Sequence, residues 1–212
     1  MSQRTANCPN CGAPIQFLWS SAVQTTCEYC HSILVRHDVD LTKVGEVADL
    51  PPDSSPIQIG TEGQWANKAF AVVGRIIYEY SHGTWNEWHL IFHDNTSGWL
   101  SDAQLEYAIS FLTKPKETVI PAERVTRQLK FDWNGTVYEV TSITTARYRG
   151  VQGELPFEYW DKSDCQFADL RTGDGRFGTI DYTEEPPLLF LGQAVEWDEL
   201  KLRNFRQFEG WK

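Results

Sequence analysis

Two CxxC pairs constrain this chain more than any other feature. Cys8-Pro9-Asn10-Cys11 is answered, after fifteen intervening residues, by Cys27-Glu28-Tyr29-Cys30. That spacing is the one a four-cysteine zinc ribbon uses. Zn(II) takes a closed tetrahedron of thiolates, and a CxxC turn brings two sulfurs onto one ion from a single knuckle. Gly12, directly after the first pair, suits a turn with positive φ, and Pro9 stiffens the knuckle by fixing its own φ. The pattern predicts a structural zinc held by Cys8, Cys11, Cys27 and Cys30. Four protein ligands leave no open position for water, so this metal is expected to be non-catalytic.

Two rival readings of these cysteines are weaker. Cys27–His31 fits the CxxCH signature of covalent haem attachment. That chemistry needs export, the stretch Met1–Asn7 has no apolar signal region, and the first CxxC would be left without a purpose. A thioredoxin-like redox pair expects a βαβ setting and one CxxC, not two facing each other. With four of the five cysteines assigned to metal, a reducing compartment follows, and the expected localisation is cytoplasmic. Cys165, the remaining one, reads as an inert structural thiol.

A ribbon of residues 1–45 buries too little apolar surface to fold unaided, so metal binding must provide most of its folding free energy. No run of about 18 apolar residues occurs, so no segment is expected to span a bilayer directly. The net charge is −10, and residues 151–212 alone carry thirteen acidic against seven basic side chains. Nucleic-acid binding needs a basic surface to neutralise phosphates. The ribbon segment 1–36 has only Arg4 and Arg36, and no Lys/Arg cluster occurs elsewhere, so nucleic acid is not expected as a partner.

Residues 46–56, with Pro51, Pro52 and Pro56, read as a linker. Beyond it, period-two patterning dominates. Phe70–Tyr80 reads as a long strand, followed by a turn at Ser81–Thr84. In the next strand Trp88, Leu90 and Phe92 point inward while His89, Ile91 and His93 form a solvent face. Trp99-Leu100 opens a third strand and Tyr107–Leu112 forms a fourth, with Pro115 and Pro121 bracketing a second linker. Val72, Ile76, Trp88, Leu90, Trp99, Phe111, Val137, Tyr138 and Val140 are the expected core. A weak repeat runs through the body. Trp65, Phe70, Val72, Gly74 and Tyr80 recur at the same offsets as Trp133, Tyr138, Val140, Ser142 and Tyr148. The fold class is therefore mainly β: a small N-terminal zinc ribbon, then a β-rich body (57–195) of two related halves, 57–112 and 125–195, barrel-like or sandwich-like. Residues 196–212 form an amphipathic tail.

These segments resemble a known family. The ribbon motif Cys8–Ile15 with Cys27–Cys30, the segments Ile59–Gly63, Val73–Ile76, Trp85–Trp88 and Gly98–Ser101, and the turn Gly153–Pro156 are similar to those of DUF4178, a domain of unknown function. The resemblance covers nearly the whole chain and is weakest from about Gln193 on. It implies no activity. Family members often lie beside genes for polyamine biosynthesis and for membrane-stress proteins, which implies a role in membrane upkeep or polyamine handling.

Three candidate sites remain to be weighed. Glu79, Tyr80, Trp85, Glu87 and Trp88 combine acidic and aromatic groups suited to an organic cation. Trp197, Leu200, Phe205, Phe208 and Trp211 can share an apolar stripe for a protein partner or for self-association. Its mixed charges make it a poor match for anionic lipid. His89, His93 and Asp94 could hold a second metal, but the solvent face of a strand is the simpler reading. Asp161, Asp164, Asp169 and Asp174 lack the order of a calcium loop. No nucleophile–base pair or phosphate-cradling loop stands out. The reading is a non-enzymatic interaction or adaptor protein, with a protein partner that is membrane-associated. The alternative is a sensor binding a small cationic, polyamine-like metabolite between the β halves.

Overall fold

Tight turns of one kind set the architecture. Ala66-Asn67, Gln104-Leu105 and Asn134-Gly135 each place two successive residues at positive φ, the geometry that matches the twist of a two-residue hairpin. The computed structural model describes residues 5–37, 40–47, 50, 55–114, 119–158 and 163–208. The ribbon comprises β1 (Thr5–Asn7), β2 (Pro14–Gln16), β3 (Gln24–Thr26), β4 (Ser32–His37) and β5 (Asp40–Glu46). The first half of the body has β6 (Glu62–Trp65), β7 (Lys68–Tyr80), β8 (Gly83–Phe92), β9 (Ser97–Ala103) and β10 (Glu106–Leu112). The second half has β11 (Lys130–Trp133), β12 (Thr136–Gly153), β13 (Asp164–Arg171), β14 (Arg176–Asp181) and β15 (Leu188–Val195). Two short 3₁₀ turns are the only helices among the described residues, and no helix is long and apolar enough to cross a membrane.

The ten body strands form one antiparallel sheet whose eight long members close on themselves. β10 pairs with β15 on one side and β7 with β12 on the other, giving the ring β7-β8-β9-β10-β15-β14-β13-β12. β6 and β11 are short outer strands, each turning by a positive-φ pair into the first long strand of its half. The sequence repeat is therefore a structural one. Trp65 pairs with Lys68 and Trp133 with Thr136 at equivalent hairpin ends, and Phe70 and Val72, like Tyr138 and Val140, are buried.

Much of the apolar core lies against the outer face of the ring. Val72, Trp88, Leu90, Leu100 and Ile109 pack under Ile57 from the entering chain and Leu200 from the leaving one. Val140, Ala168, Leu170, Ile180 and Leu189 pack under Val119 and Val125 on the other flank. A buried polar knot braces the first flank: Arg75 stacks on Trp88 at 4.5 Å, and Asp102 accepts from Ser55, Asn86 and Trp88.

Several sequence expectations are corrected. Val137 is exposed (57%) because Tyr138 and Val140, one residue out of phase, take the core positions on the outer flank. Phe111 is only partly buried. His89 is buried (0%) rather than solvated, and Ile91 packs on the ribbon core, since that face of β8 lies beneath the ribbon. The last linker residues, Ser55 and Pro56, are buried parts of the body; Pro51, Pro52 and Pro115 lie outside the described residues. The ribbon is not held apart, because β3 hydrogen-bonds to Leu155 and Gly153 at the end of β12. The tail beyond Val195 is in part core: Leu200 is fully buried, and Glu62 exchanges backbone hydrogen bonds with Arg203.

Two truncations separate core tail from surface tail. Leu200→Ala is expected to destabilise the fold by about 2–5 kcal/mol, the usual cost of a buried Leu cavity. Phe205→Ala, at a 37% exposed site, should shift the midpoint of chemical denaturation by less than half as much.

Candidate metal centre and barrel lumen

Both knuckles are built alike. Gly12 N donates to Cys8 O and His31 N to Cys27 O, at 2.8 and 2.9 Å, and Gly12 and His31 both adopt positive φ. Each turn thereby aims its two thiols at the same point. All four sulfurs lie within 4.8 Å of one another, and Cys8–Cys30 and Cys11–Cys27 are each 3.7 Å apart. A tetrahedron with metal–sulfur bonds near 2.3 Å has edges of about 3.8 Å, so the cluster can hold a metal ion. The Ser32 hydroxyl, 3.2 Å from Cys30 Sγ, is the main cause that lowers the Cys30 thiol to about 5. Hydrogen bonds to ligand sulfurs of this kind favour the thiolate.

The ring encloses the second site. Inward residues from its eight strands line two compartments that share Glu87, Ser101, Phe167 and Thr179. The narrower, about 50 Å³, is walled by Tyr78, Trp99, Phe157, Phe190 and Asp181. The wider, about 270 Å³, is walled by Tyr80, Trp85, Ser142, Asp169, Arg171 and Phe177. Alternation along the strands explains the lining. Trp85 and Glu87 face inward while Trp88 and Leu90 face the outer core, and Phe167 and Asp169 face inward while Ala168 and Leu170 face out.

Besides Glu106, which pairs with Arg171, three carboxylates line this lumen. Glu87 accepts from Ser101 (2.8 Å) and from Trp85 Nε1 (3.0 Å). Asp169 accepts from Ser142 and Thr179, at 2.6 and 3.1 Å. Asp181 accepts from Thr183 N at 2.8 Å. None of the three is ion-paired among the described residues. Arg171, the cation on the wall, lies over Phe177 and 3.6 Å from Glu106. Since Asp169 pairs with Thr179 and Asp181 with Phe167, Asp169 and Asp181 stand two residues apart along the barrel, roughly 7 Å. Burial pushes Glu87 up to about 8, and the charges of Asp169 and Asp181 add to that shift. Burial raises Asp181 as well.

The expected five-residue pocket is brought together only in part. Tyr80, Trp85 and Glu87 line the lumen. Glu79 instead pairs with Arg147 at 2.8 Å, and Trp88 is fully buried on the other face. Asp169, Asp181, Phe167 and Thr179 were missed. The second-half repeat signalled an equivalent strand, but not which acids it turns inward. In the tail, Trp197 packs on Tyr107 and Phe205 at 5.5 and 5.6 Å, and Phe208 is half-buried. Trp211 lies outside the described residues. His89 and His93 do not converge: His93 is exposed, whereas His89 bonds to Glu154 O and Ser97 Oγ. Asp164 and Asp174 are exposed and separate from Asp169, and Asp161 is outside the described residues. Cys165 is buried, its thiol donating to Ala146 O.

A raised carboxyl pKa means that the folded protein binds more protons than the unfolded chain. For Glu87 that window runs from about 4.5 to about 8, so its contribution is complete on the acid side and is lost as pH rises through the window. Buried His89, lowered to about 4, acts oppositely and only below its ordinary value of 6.5. Melting temperature should therefore fall between about pH 6.5 and 8.5, and Glu87→Gln should flatten that fall in a calorimetric pH series.

Comparison with known proteins adds one match. No curated protein and no solved structure matches the chain. The model of a family described as "Domain of unknown function (DUF4178)" matches residues 58–197, the span that holds the complete ring. The chain belongs to the DUF4178 family.

Proposed function

We propose that this chain is a non-enzymatic binding protein whose barrel lumen takes a small organic cation and whose ribbon carries one structural zinc. The observation that carries the reading is the lumen wall. Glu87, Asp169 and Asp181 share it without an ion pair among the described residues, beside Tyr78, Trp85, Trp99 and Phe167. Aromatic faces attract a cation, and carboxylates pair with its N–H groups. A neutral apolar ligand would leave those carboxylates desolvated and unpaired. The compartments and the roughly 7 Å stagger of Asp169 and Asp181 suit a linear, polyamine-like amine. Four thiols close the metal site, so the zinc stabilises the ribbon and takes no part in chemistry. The compartment consistent with reduced thiols is the cytoplasm.

A second reading, an adaptor for a membrane-associated protein, is favoured by one patch. Leu18 (60% exposed) and Tyr29 (71% exposed) border a cleft of about 600 Å³ between ribbon and barrel. Removing that patch would abolish partner capture without changing amine binding.

Calorimetry with 1,4-diaminobutane, butylamine and neutral 1,4-butanediol tests the first reading. The diamine should bind most tightly and the diol not at all. Glu87→Gln or Asp169→Asn should weaken the diamine by roughly tenfold or more, as expected for loss of a charge-assisted contact. Ionised Glu87 is the binding form, so affinity should rise from about pH 6.5 to 8.5 while the amine stays charged. Equal affinity for diamine and diol, or none for either, would overturn the reading. Elemental analysis of freshly purified protein should return one zinc per chain.

A further inference from the structure

The seam between ribbon and barrel sits against the inner end of the lumen. Glu154, 3% exposed, receives Leu18 N and Trp19 N on its two carboxylate oxygens at 2.6 and 2.8 Å. Its own backbone is fixed in the barrel: N donates to Val73 O at 2.7 Å, and O meets His89 Nδ1 at 2.8 Å. Beside it, Leu155 exchanges backbone bonds with Gln24 at 2.9 and 3.2 Å, and Gly153 N donates to Thr26 Oγ1 at 2.7 Å. Thr26 immediately precedes Cys27, which is fully buried in the metal cluster.

A row of rings continues the path inward. Trp19 meets the edge of His89 at 5.1 Å, His89 meets Trp99 at 5.1 Å, and Trp99 stacks on Phe157 at 5.8 Å. Trp99 and Phe157 are walls of the narrow compartment that contains Glu87 and Asp181. Trp19 Nε1 is buried without an acceptor among the described residues. Ring packing, rather than an indole hydrogen bond, therefore holds Trp19 on His89.

We infer that the ribbon is a metal-dependent latch on the inner end of the lumen, held by Glu154 and transmitted through Trp19, His89 and Trp99. The ribbon folds around its metal. Its folding sets the Phe17–Trp19 turn, which both occupies Glu154 and supports the wall of the narrow compartment. Loss of the metal releases the turn and removes both backbone donors from the Glu154 carboxylate, which water must then solvate. Water then enters between His89 and Trp99, and the compartment loosens. Metal state and lumen affinity are linked through one set of contacts, reciprocally. The ligand half of this inference rests on the lumen reading proposed above, and the docking half does not.

The test uses the full chain under reducing conditions, zinc-loaded or stripped with a chelator, and reads amide exchange together with 1,4-diaminobutane binding. Stripping should speed exchange at Leu155, Trp99 and Glu154 by about tenfold or more, while β13 and β14 stay protected. In zinc-loaded protein, Trp19→Ala and Glu154→Gln should each speed exchange at Trp99 and weaken diamine binding with zinc content unchanged. Exchange that rises in the ribbon alone, with Trp99 and Glu154 as protected as before, would overturn the latch. So would diamine affinity that is indifferent to zinc in a protein that does bind it. Absence of diamine binding in zinc-loaded wild type would defeat the lumen reading, and the exchange result would still decide the docking half.

Discussion

Closure of the sheet between β7 and β12 is the constraint on which everything else rests. The register runs from Arg147 opposite Glu79 to Gly153 opposite Gly74. At its far end a side chain on Gly74 would collide with the backbone of Glu154, and one on Gly153 with the backbone of Val73. Two facing glycines thus let the strands meet closely where β12 turns toward the ribbon. Without that pairing the two halves would be open sheets with exposed edges, the lumen would have no wall, and Glu154 would not reach the ribbon.

Closure also explains why the molecule can keep acidic groups inside. A ring of eight strands has an interior just wide enough for side chains or one small ligand. Two of the apolar clusters lie on the outer flanks, under Ile57 and Leu200 on one side and Val119 and Val125 on the other, and a third, with Ile76, Tyr78, Trp99, Val151 and Phe167, fills part of the interior. The rest of the interior carries a mixed lining of aromatics, hydroxyls and carboxylates. The outer apolar clusters and the carboxylates thus occupy opposite faces of the same strands. The raised pKa of Glu87 is the electrostatic mark of that division.

The legible parts of the sequence were those governed by local rules. CxxC spacing located the four thiols, because knuckle geometry is set within four residues. Turn residues and alternation located most strands of the first half, and the Trp-to-Tyr offsets found the equivalent hairpins around Trp65 and Trp133. What failed depended on contacts between distant segments. His89 looked solvent-facing because nothing near it in sequence announces that Trp19 will cover it. Val137 was expected in the core beside Tyr138 and Val140, whereas alternation along β12 buries Tyr138 and Val140 on the outer flank and leaves Val137 exposed. Asp169 reads in sequence only as part of an acidic set without calcium-loop order, and nothing in the sequence singles out Asp181. Only ring closure shows that they face Glu87.

The entering and leaving chains of the barrel run side by side. Arg206 N donates to Pro56 O, Gln58 Nε2 to Asn204 O, and Glu62 pairs with Arg203. The unit from Ser55 to Phe208 therefore has a two-stranded neck rather than opposed ends. A fold with such a neck can be spliced into a surface loop of another protein, or joined to varied partners at either end, without unthreading its ring. The same Leu200 and Ile57 packing that closes the outer flank holds that neck together.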